Sequence, residues 1–409
     1  MRILILSQYF FPESFIINNI VAKLIEQGHQ VTVATGKPNY PDGQIFRGYT
    51  ANGTQRETYL DTVEVVRVPL WPRGRGGAKN LILNYFSFAF AGLMLFPWLL
   101  RKRAFDAILV FAPSPITQAI PAVLLKWLKG AKLVLWIQDL WPESLAATGF
   151  IKNRYVLKAV GWMVRGIYGC CDLLLVQSRG FINPVTRYAA RQKIVYHPNS
   201  FDSRPFPAAS IPETLNELFA NYFCVVFAGN LGTAQSLDTL VQAAVELRNE
   251  PSIRLILIGS GSRLEWLEQQ RLLHQLENLI LPGRFPMDAM SPIFERASAL
   301  LVSLNDEAIF AQTVPSKIQA YLAAGRPIIA SINGEGARVV LEAGAGLTSP
   351  AEHVESLVAN IRRLKEMTTT ERTAMGESGR AYFEEHFDMS RQVANLVELL
   401  GRDPKKKAV

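Results

Sequence analysis

The chain has 409 residues, of which 49% are hydrophobic and 19% charged, and its formal net charge is +8. This length is sufficient for two domains with sizeable cores and is unusually large for one. The three cysteines, two of them adjacent, provide no disulfide framework, so we expect a reducing compartment, with the cytoplasm as the default.

The first half of the chain predicts a parallel α/β sheet. The opening MRILILSQYF has an apolar run too short for a secretion signal and is interpreted as the first strand. Short apolar runs then alternate with helical segments, as in buried parallel strands. No GxGxxG follows the first strand, so nothing indicates a dinucleotide site. The predicted strands are residues 3–6, 31–35, 63–68, 107–111, 132–137 and 173–177.

Residues 81–100 form a run without charge, LILNYFSFAFAGLMLFPWLL, long enough to cross a membrane. Both flanks are basic, Pro97 interrupts the run, and a crossing here would split one sheet across the bilayer. We therefore expect a helix that lies on or dips into an anionic membrane, with a buried helix between two strands as the alternative. The residues expected at this surface are Trp71, Arg73, Arg75, Lys79, Phe96, Trp98, Arg101, Lys102 and Arg103.

Two carboxylates follow predicted strands of the first half. Glu13 comes after the first strand, and Asp139 lies in WIQDLWPES. A carboxylate at the carboxyl end of a strand can orient a substrate hydroxyl, but each of these can equally cap the helix that follows. His197 and Trp141 are interpreted as packing residues.

The domain boundary is predicted in residues 197–215, where Pro, Ser and Ala cluster and no periodicity persists. The strand and helix alternation restarts at Phe223. Its predicted strands are residues 225–228, 255–258, 299–303 and 327–330. We expect domains at residues 1–198 and 199–384, followed by a C-terminal helical segment at residues 385–409. The terminal residues 405–407, KKK, are interpreted as a solvated tail.

The stretch PSKIQAYLAAGRPIIASINGEG, residues 315–336, predicts a helix start, an Ala-Gly helix end and a buried strand. Pro315 and Ser316 suit the start of a helix, where the Ser oxygen can cap free amides. A helix N-terminus with Lys317 beside it favours an anion, and a diphosphate above a neutral ligand. The alternative is an ordinary α/β unit with a solvated lysine.

These residues resemble the donor domain of glycosyltransferase family 4, whose fold is called GT-B. VVFAGNLGTAQSLDTLVQAA is similar to the first donor-domain strand and its glycine turn, and LILIGSGSRLEWLE to a later strand and helix unit. SQYFFPES, TGKPNYP and WIQDLWPES resemble the bacterial branch that includes the O-antigen N-acetyl-L-fucosaminyl transferases. SGRAYFEEHFDMSRQVANLVELL resembles the helices that cross back to the first domain.

The resemblance implies two Rossmann-like, doubly wound parallel-sheet domains facing a central cleft. It also implies a retaining mechanism without an essential metal, in which the leaving phosphate oxygen acts as base. The chain has no DxD and no His or Cys cluster with ligand spacing, so amides and cations must meet the leaving-group charge. The donor-binding candidates are Gly229, Asn230, Gly232, Gly259, Arg284, Gln312, Ser316 and Lys317.

The sequence departs from the family at several of these positions. The family's two donor-loop glutamates fall on Gln312 and Ala320, and the Arg and Lys that grip its diphosphate fall on Asn230 and Gln235. Lys317 is expected to compensate near the phosphate, which suits a deoxy sugar with fewer hydroxyls. In the first half, Gln138 occupies the place of a family histidine, so this position can hydrogen-bond but cannot titrate. The catalytic candidates are therefore Gln138, Asp139 and Glu13.

The leading hypothesis is a hexosyltransferase that moves a sugar, such as N-acetyl-L-fucosamine, from a UDP-sugar to a polyprenyl-diphosphate-linked glycan in O-antigen or capsule synthesis. The expected partners are the UDP-sugar, the lipid-linked saccharide and an anionic membrane surface, with no cofactor and no nucleic acid. The expected location is the cytoplasmic face of the bacterial inner membrane. The alternatives are a GT-B nucleotide-sugar epimerase and a catalytically silent GT-B scaffold subunit.

Overall fold

A computed structural model describes residues 1–74, 77–147, 151–204 and 211–402. The chain divides into two compact units. The first comprises Met1–Asn199 with Met389–Val409, and the second comprises Ser200–Asp388. The chain therefore leaves the first unit once and returns to it at its end.

The first unit is built on an eight-stranded sheet. All neighbouring pairs are parallel except the antiparallel pair at one edge, Gln55–Tyr59 against Val63–Arg67. In chain order the strands are β1 (Arg2–Leu6), β2 (Gln30–Thr35), β3 (Gln55–Tyr59), β4 (Val63–Arg67), β5 (Ala107–Ala112), β6 (Lys132–Ile137), β7 (Leu173–Val176) and β8 (Ile194–Tyr196). The spatial order is β3-β4-β2-β1-β5-β6-β7-β8, so the chain reverses direction across the sheet after β4. Such a reversal opens a crevice at the carboxyl ends of the strands.

Six helices connect these strands and cover the two faces of the sheet. They are α1 (Ile16–Glu26), α2 (Ala78–Leu99), α3 (Ile120–Lys129), α4 (Glu143–Ala147), α5 (Arg154–Cys170) and α6 (Ile182–Thr186). Buried side chains of α2, α3 and α5 share one apolar core on one face, and those of α1 share another on the opposite face. The sheet is thus a doubly wound layer covered on both sides.

The second unit repeats this design with a six-stranded parallel sheet. Its strands are β9 (Phe223–Asn230), β10 (Ile253–Ser260), β11 (Leu279–Gly283), β12 (Ala299–Ser303), β13 (Ile328–Ser331) and β14 (Gly346–Ser349). The spatial order is β11-β10-β9-β12-β13-β14. Here too the direction of winding reverses, beside β9, whose carboxyl end carries the predicted glycine turn.

The helices of the second unit again lie on both faces of its sheet. They are α7 (Glu213–Asn221), α8 (Leu237–Glu246), α9 (Leu264–Leu273), α10 (Met287–Arg296), α11 (Ala308–Ala311), α12 (Ser316–Ala324), α13 (Glu335–Glu342), α14 (Val354–Glu366) and α15 (Thr369–His386). The last helix, α16 (Met389–Gly401), belongs to the first unit, where Val393 and Leu396 are buried in the core that also holds α1.

The sequence correctly predicted two parallel-sheet α/β units, but it missed four strands at or near sheet edges. β3 is polar, QRETY, and alternates between half-buried and exposed residues, so it lacks the apolar run of a central strand. β8 has only three residues, β11 contains a proline, and β14 is GLTS. Strands with a free edge need less continuous apolar sequence, which explains why pattern alone overlooked them.

Candidate functional site

The donor-side candidates of the second unit collect at the carboxyl ends of its parallel strands. Gly229 and Asn230 close β9, and Gly259 lies beside Gly229 in the register of β10. A side-chain carbon on Gly259 would lie 1.8 Å from the Gly229 carbonyl oxygen, and both residues have positive φ, 148° and 140°. Only glycine allows the two turns to approach this closely. A sharply folded pair of turns therefore ends β9 and β10.

Polar contacts hold the turn after β9 in place. Asn305, which follows β12, accepts a 2.9 Å hydrogen bond from the Ser236 amide and donates one of 3.0 Å to the Thr233 carbonyl. On the β9 side, the buried Tyr321 hydroxyl of α12 accepts from the Ala228 amide at 3.0 Å. The turn is thus fixed from two neighbouring elements before any ligand binds.

Lys317 reaches from the first turn of α12 to this glycine turn. Its Nζ donates a 2.6 Å hydrogen bond to Gln235 Oε1 and lies 3.7 Å from the centroid of the Phe227 ring. A side-chain carbon on Gly229 would lie 2.7 Å from Lys317 Cε, so the glycine makes room for the lysine. Burial lowers the pKa of Lys317 to about 7. The lysine is therefore part of the turn and not the solvated side chain of the alternative interpretation.

The structure corrects one expectation about the start of α12. The helix begins at Ser316 with Pro315 as its N-cap residue, and no side-chain oxygen caps it. The expectation that the Ser316 oxygen caps the helix is therefore wrong. The Ile318 amide donates to the Pro315 carbonyl at 3.0 Å, so the amides of Ser316 and Lys317 are the ones that face no cap. The predicted helix end is confirmed, since Gly325 adopts the left-handed conformation with φ 65°.

The remaining donor candidates lie at the same edge of the sheet but further from Lys317. Asn230 is exposed, and Gly232 is held so close to it that a side-chain carbon there would lie 2.6 Å from Asn230 Nδ2. Arg284 is exposed just after β11, two strands from β9. Gln312 is half-buried at the end of α11. The structure thus brings Gly229, Gly259 and Lys317 into contact and leaves Arg284 and Gln312 as separate positions on the same rim.

In the first unit, Glu13 is 1% exposed, and its carboxylate binds backbone amides of the loop after β2. Its carboxylate accepts hydrogen bonds from the amides of Asn39 at 2.9 Å, Tyr40 at 2.8 Å and Phe10 at 3.2 Å. Burial raises its pKa to about 7, against the lowering effect of these amides. The structure therefore shows Glu13 holding two loops together.

Asp139 is engaged in a similar way after β6. Its Oδ2 accepts from Trp141 Nε1 and from the Ser144 hydroxyl, each at 3.1 Å. Burial raises the pKa of this carboxyl group. The carboxyl group also interacts with the Leu140 amide, so Asp139 stabilises the turn through both side-chain and backbone contacts.

Gln138 differs from these two carboxylates. It follows the last residue of β6, and its Nε2 is buried without a hydrogen-bond partner among the described residues. A buried amide donor without a partner is uncommon and requires an explanation. Of the three catalytic candidates, Glu13 and Asp139 have hydrogen-bond partners for their carboxylates, whereas Gln138 Nε2 has none among the described residues.

A network of buried side-chain amides occupies the same edge of the first sheet and was not foreseen from the sequence. Gln118 Oε1 accepts from the Gln8 amide at 2.8 Å, and Gln8 Nε2 donates to Asn84 Oδ1 at 2.7 Å. Asn84 Nδ2 in turn donates to the Trp71 carbonyl at 2.6 Å and to Asn39 Oδ1 at 3.3 Å. Asn84 interrupts the apolar run of α2, and that interruption was the available signal.

The helix α2 has apolar side chains on both faces. Inward-facing residues, among them Tyr85, Phe88 and Phe96, pack in the core. Large apolar side chains also lie on the outer face, at Ile82, Leu83, Phe86, Phe90, Met94 and Trp98. The helix is long and apolar enough to cross a membrane, but 39% of its most apolar 18-residue stretch is buried in the protein. The helix connects β4 to β5, and both strands belong to the same sheet. A membrane crossing by α2 would therefore divide that sheet.

The predicted membrane-surface residues separate into two groups. The expectation that Phe96 lies at the membrane surface is wrong. Phe96 is fully buried, one helical turn from Gly92 on the inward face. Arg75 lies outside the described residues. Trp71, Lys79, Trp98, Arg101, Lys102 and Arg103 are exposed, and Arg73 is half-buried.

Some of these surface cations contact neighbouring side chains. The Arg101 guanidinium lies 4.5 Å from the Trp98 ring centroid, and that of Arg73 lies 5.1 Å from the Tyr40 ring centroid. Arg103 forms a 2.8 Å ion pair with Glu64. The basic flank of α2 is therefore partly ordered by the protein itself.

Two further structural features bear on the site. His197 is buried 4.8 Å from the Trp136 ring centroid, and burial lowers its pKa to about 4, so it acts as a packing residue. Within the described ranges, no group of three or more His, Cys, Asp or Glu side chains is placed to hold a metal ion.

Comparison with known proteins finds a family match in each half of the chain. Residues 15–200 match the family described as Glycosyl transferase 4-like domain, and residues 223–366 match Glycosyl transferases group 1. A protein of Escherichia coli K12 named as a colanic acid biosynthesis glycosyl transferase, WcaI, is 28% identical over 389 residues, covering 89% of this chain and 92% of its own length.

Solved structures show the same fold. Sucrose-phosphate synthase from Thermosynechococcus elongatus aligns with a TM-score of 0.73 at 16% identity, covering 97% of this chain and 98% of its own. HepE of Anabaena, solved in complex with UDP, aligns with a TM-score of 0.67 at 15% identity, covering 98% and 99%. At these identities the likeness establishes the two-domain architecture alone.

Proposed function

We propose that the chain is a family 4 GT-B glycosyltransferase, because residues 15–200 match Glycosyl transferase 4-like domain and residues 223–366 match Glycosyl transferases group 1, and that it transfers a hexose from a UDP-sugar to a lipid-linked glycan. The pathway proposed is the synthesis of a bacterial surface polysaccharide, O-antigen or capsule. The relationship to WcaI, which is named for colanic acid biosynthesis, supports this assignment.

The observation that carries the donor assignment is the contact of Lys317 with the glycine turn of β9. A cation, the uncapped amides of Ser316 and Lys317 at the start of α12 and a backbone without a side chain at Gly229 are the groups that a diphosphate needs. UDP is proposed as the nucleotide because HepE, which shares the fold, was solved with UDP.

The proposed sugar is N-acetyl-L-fucosamine or a related 6-deoxy amino sugar. The family's two donor-loop carboxylates are replaced by Gln312 and Ala320, so fewer charged acceptors are available for sugar hydroxyls. A sugar that offers fewer hydroxyls leaves fewer of these contacts unmet.

The proposed reaction retains the configuration of the transferred sugar and requires no metal. The bond from the anomeric carbon to the phosphate oxygen breaks, the acceptor oxygen forms its bond on the same face, and the acceptor proton passes to the leaving phosphate. Lys317 and the helix amides stabilise the charge that develops on that phosphate. Gln138 Nε2, the unused donor of the first unit, is proposed to orient the acceptor, with Asp139 and Glu13 holding the turns around it.

The proposed acceptor is a saccharide linked to polyprenyl diphosphate, encountered on the cytoplasmic face of the inner membrane. The outer face of α2 supports a peripheral or monotopic attachment, because its large apolar side chains are exposed between basic residues. Burial of the inward face against the sheet is consistent with a helix that lies along the bilayer and does not cross it.

Binding of UDP and of GDP, each alone, to the purified protein by calorimetry is the first test. Selective binding of UDP supports the donor assignment, and transfer from UDP-N-acetyl-L-fucosamine to a polyprenyl-diphosphate-linked amino sugar tests the reaction. Binding of neither nucleotide would contradict the proposal and favour a silent scaffold. Epimerised UDP-sugar formed without acceptor would favour an epimerase.

A further inference from the structure

The helix α5 carries an exposed aromatic face that the proposed function leaves unused. Tyr155 and Trp162 lie seven residues apart, and Trp162 is 73% exposed. Lys158 and Arg165 fall between and beyond them at helical spacing, so the four side chains share one side of the helix. On a helix surrounded by water, large aromatic groups in this position would increase the apolar area left in contact with solvent.

The exposed face of α5 belongs to the same helical layer as α2. Buried residues of α2, α3 and α5 form one core on one side of the sheet, and α3 packs against both of the others. Helix α3 also exposes large apolar side chains, Trp127 and Leu128. The outward surfaces of three adjacent helices therefore all present aromatic or aliphatic side chains.

The charge of these three helices is unlike that of the rest of the chain. Residues 78–103, 120–130 and 151–170 contain ten Lys and Arg residues and no Asp or Glu. The whole chain has 43 basic and 35 acidic residues, so 33 basic and 35 acidic residues remain outside these segments. The three segments thus carry an excess of ten positive charges, of which Arg103 and Lys126 are paired with Glu64 and Asp172 from outside the segments.

We propose that the outer faces of α3 and α5 join that of α2 as one lipid-binding surface, which we call the three-helix face, and that its occupant is an anionic bilayer. This inference rests on the membrane attachment of α2 in the proposed function and extends it to two further helices. Trp127, Tyr155 and Trp162 enter the interface, where amphipathic rings are stable, and the lysines extend to lipid phosphates.

Charge argues against a second copy of this chain as the occupant. A symmetric dimer through the three-helix face would bring two sets of the same basic residues together. No acidic residue of those segments could compensate their charge, so the two faces would repel each other. A bilayer with anionic lipid supplies the missing opposite charge and also accepts the apolar side chains, so it satisfies both properties of the surface.

The test is co-sedimentation of the full-length protein with vesicles of phosphatidylcholine, with or without phosphatidylglycerol. The variants are Tyr155→Ser with Trp162→Ser, and Lys158→Gln with Arg165→Gln. We expect each pair to weaken binding to the anionic vesicles on the order of tenfold. The matched control, Leu272→Ser with Leu273→Ser on α9 of the second unit, removes two equally exposed apolar side chains and is expected to bind like the wild type.

Wild-type vesicle binding by both α5 variants would overturn the inference, as would binding that does not depend on phosphatidylglycerol. A wild-type dimer that becomes monomeric in the Tyr155 and Trp162 variant would also overturn it, in favour of a protein interface. Phe86→Ser with Phe90→Ser tests α2 separately, since loss of binding only in this variant would leave the attachment to α2 alone. Circular dichroism and denaturant unfolding of every variant monitor the fold, and UDP calorimetry keeps failure of the donor proposal distinguishable from failure of the membrane surface.

Discussion

Lys317 Nζ lies 2.6 Å from Gln235 Oε1 and rests on the Phe227 ring, so the cation at the head of α12 is joined to the turn after β9 by a neutral partner. An amide can hydrogen-bond an ammonium group but cannot neutralise it. The lysine is therefore held in position without a countercharge, so an incoming diphosphate would stabilise its protonated form.

Substitution of Lys317 by Met is expected to abolish measurable UDP binding while the fold is retained. Methionine is long and apolar, so it can fill the space beside Gly229 without a charge. Calorimetry should show a loss of affinity of at least about 30-fold, the equivalent of about 2 kcal/mol for one charge-assisted contact. UDP affinity equal to that of the wild type would contradict the donor assignment.

The same variant is expected to be more stable than the wild type. Because burial lowers the folded-state pKa of Lys317 to about 7, below its unfolded value of about 10.4, the unfolded chain binds more protons between these two pH values. The contribution of Lys317 therefore makes the wild-type protein more stable as the pH rises through that window. Denaturant unfolding at pH 7 and 9 should show that Lys317→Met removes this rise and gains on the order of 1–3 kcal/mol at pH 7.

Binding of UDP is expected to take up a proton. A diphosphate raises the pKa of Lys317 from about 7, so the lysine, largely neutral at about pH 8 in the free protein, becomes charged in the complex. Calorimetry at about pH 8 in buffers of different ionisation enthalpy should give an uptake near one proton, and affinity should fall up to tenfold per pH unit above pH 7. Lys317→Arg, which stays charged, should take up none. Equal enthalpies in all buffers for the wild type would contradict this coupling.

Substitution of Gly229 by Ala is expected to weaken UDP binding by displacing Lys317. The added carbon would lie 2.7 Å from Lys317 Cε, and the residue has φ 140°, which side chains rarely adopt. We expect a tenfold or greater loss of affinity and destabilisation of roughly 1–3 kcal/mol. Gly166→Ala in α5, where nothing lies within 4 Å of the added carbon, is the matched control and should leave UDP affinity unchanged.

The sequence predicted the central strands of both sheets because their residues are apolar over several consecutive positions. It could not predict the edge strand β3, whose pairing with β4 is determined by tertiary structure: the fully buried Arg67 of β4 pairs with Glu57 of β3 at 2.5 Å. A charged residue in a strand pattern does not reveal its partner. Such pairings become visible only when the chain is folded.

The sequence predicted those parts of the candidate site that depend on local residue patterns, and it missed those that depend on tertiary contacts. The glycine turn and Lys317 are recognisable from local sequence, since each depends on residue types that few other structures require. The partner of Lys317 and the buried amides of Gln8 and Asn84 depend on contacts between residues far apart in the chain. Phe96 was placed on the wrong face because a helix that is apolar all round has no polar side to orient it.

Substitution of Asn84 by Leu is expected to destabilise the first unit and to impair acceptor use without affecting the donor. Asn84 is fully buried, and its loss would leave Gln8 Nε2 and the Trp71 carbonyl without their partner. Each unpaired group costs about 1–3 kcal/mol, so denaturant unfolding should show a loss of roughly 2–4 kcal/mol. The control Leu83→Ala, exposed on the same helix, should change stability by about 0.5 kcal/mol or less.

The effect of Asn84→Leu on activity follows from its contacts. Asn84 joins α2 to Gln8 after β1 and to Asn39 after β2, two loops at the edge of the sheet where Gln138 has its unused amide donor. We therefore expect the KM for the lipid-linked acceptor to rise at least fivefold while UDP affinity by calorimetry is unchanged. An equal loss of affinity for both ligands would show that the variant unfolds generally. An unchanged acceptor KM in a variant that is measurably less stable would show that the amide network supports the fold and not the acceptor.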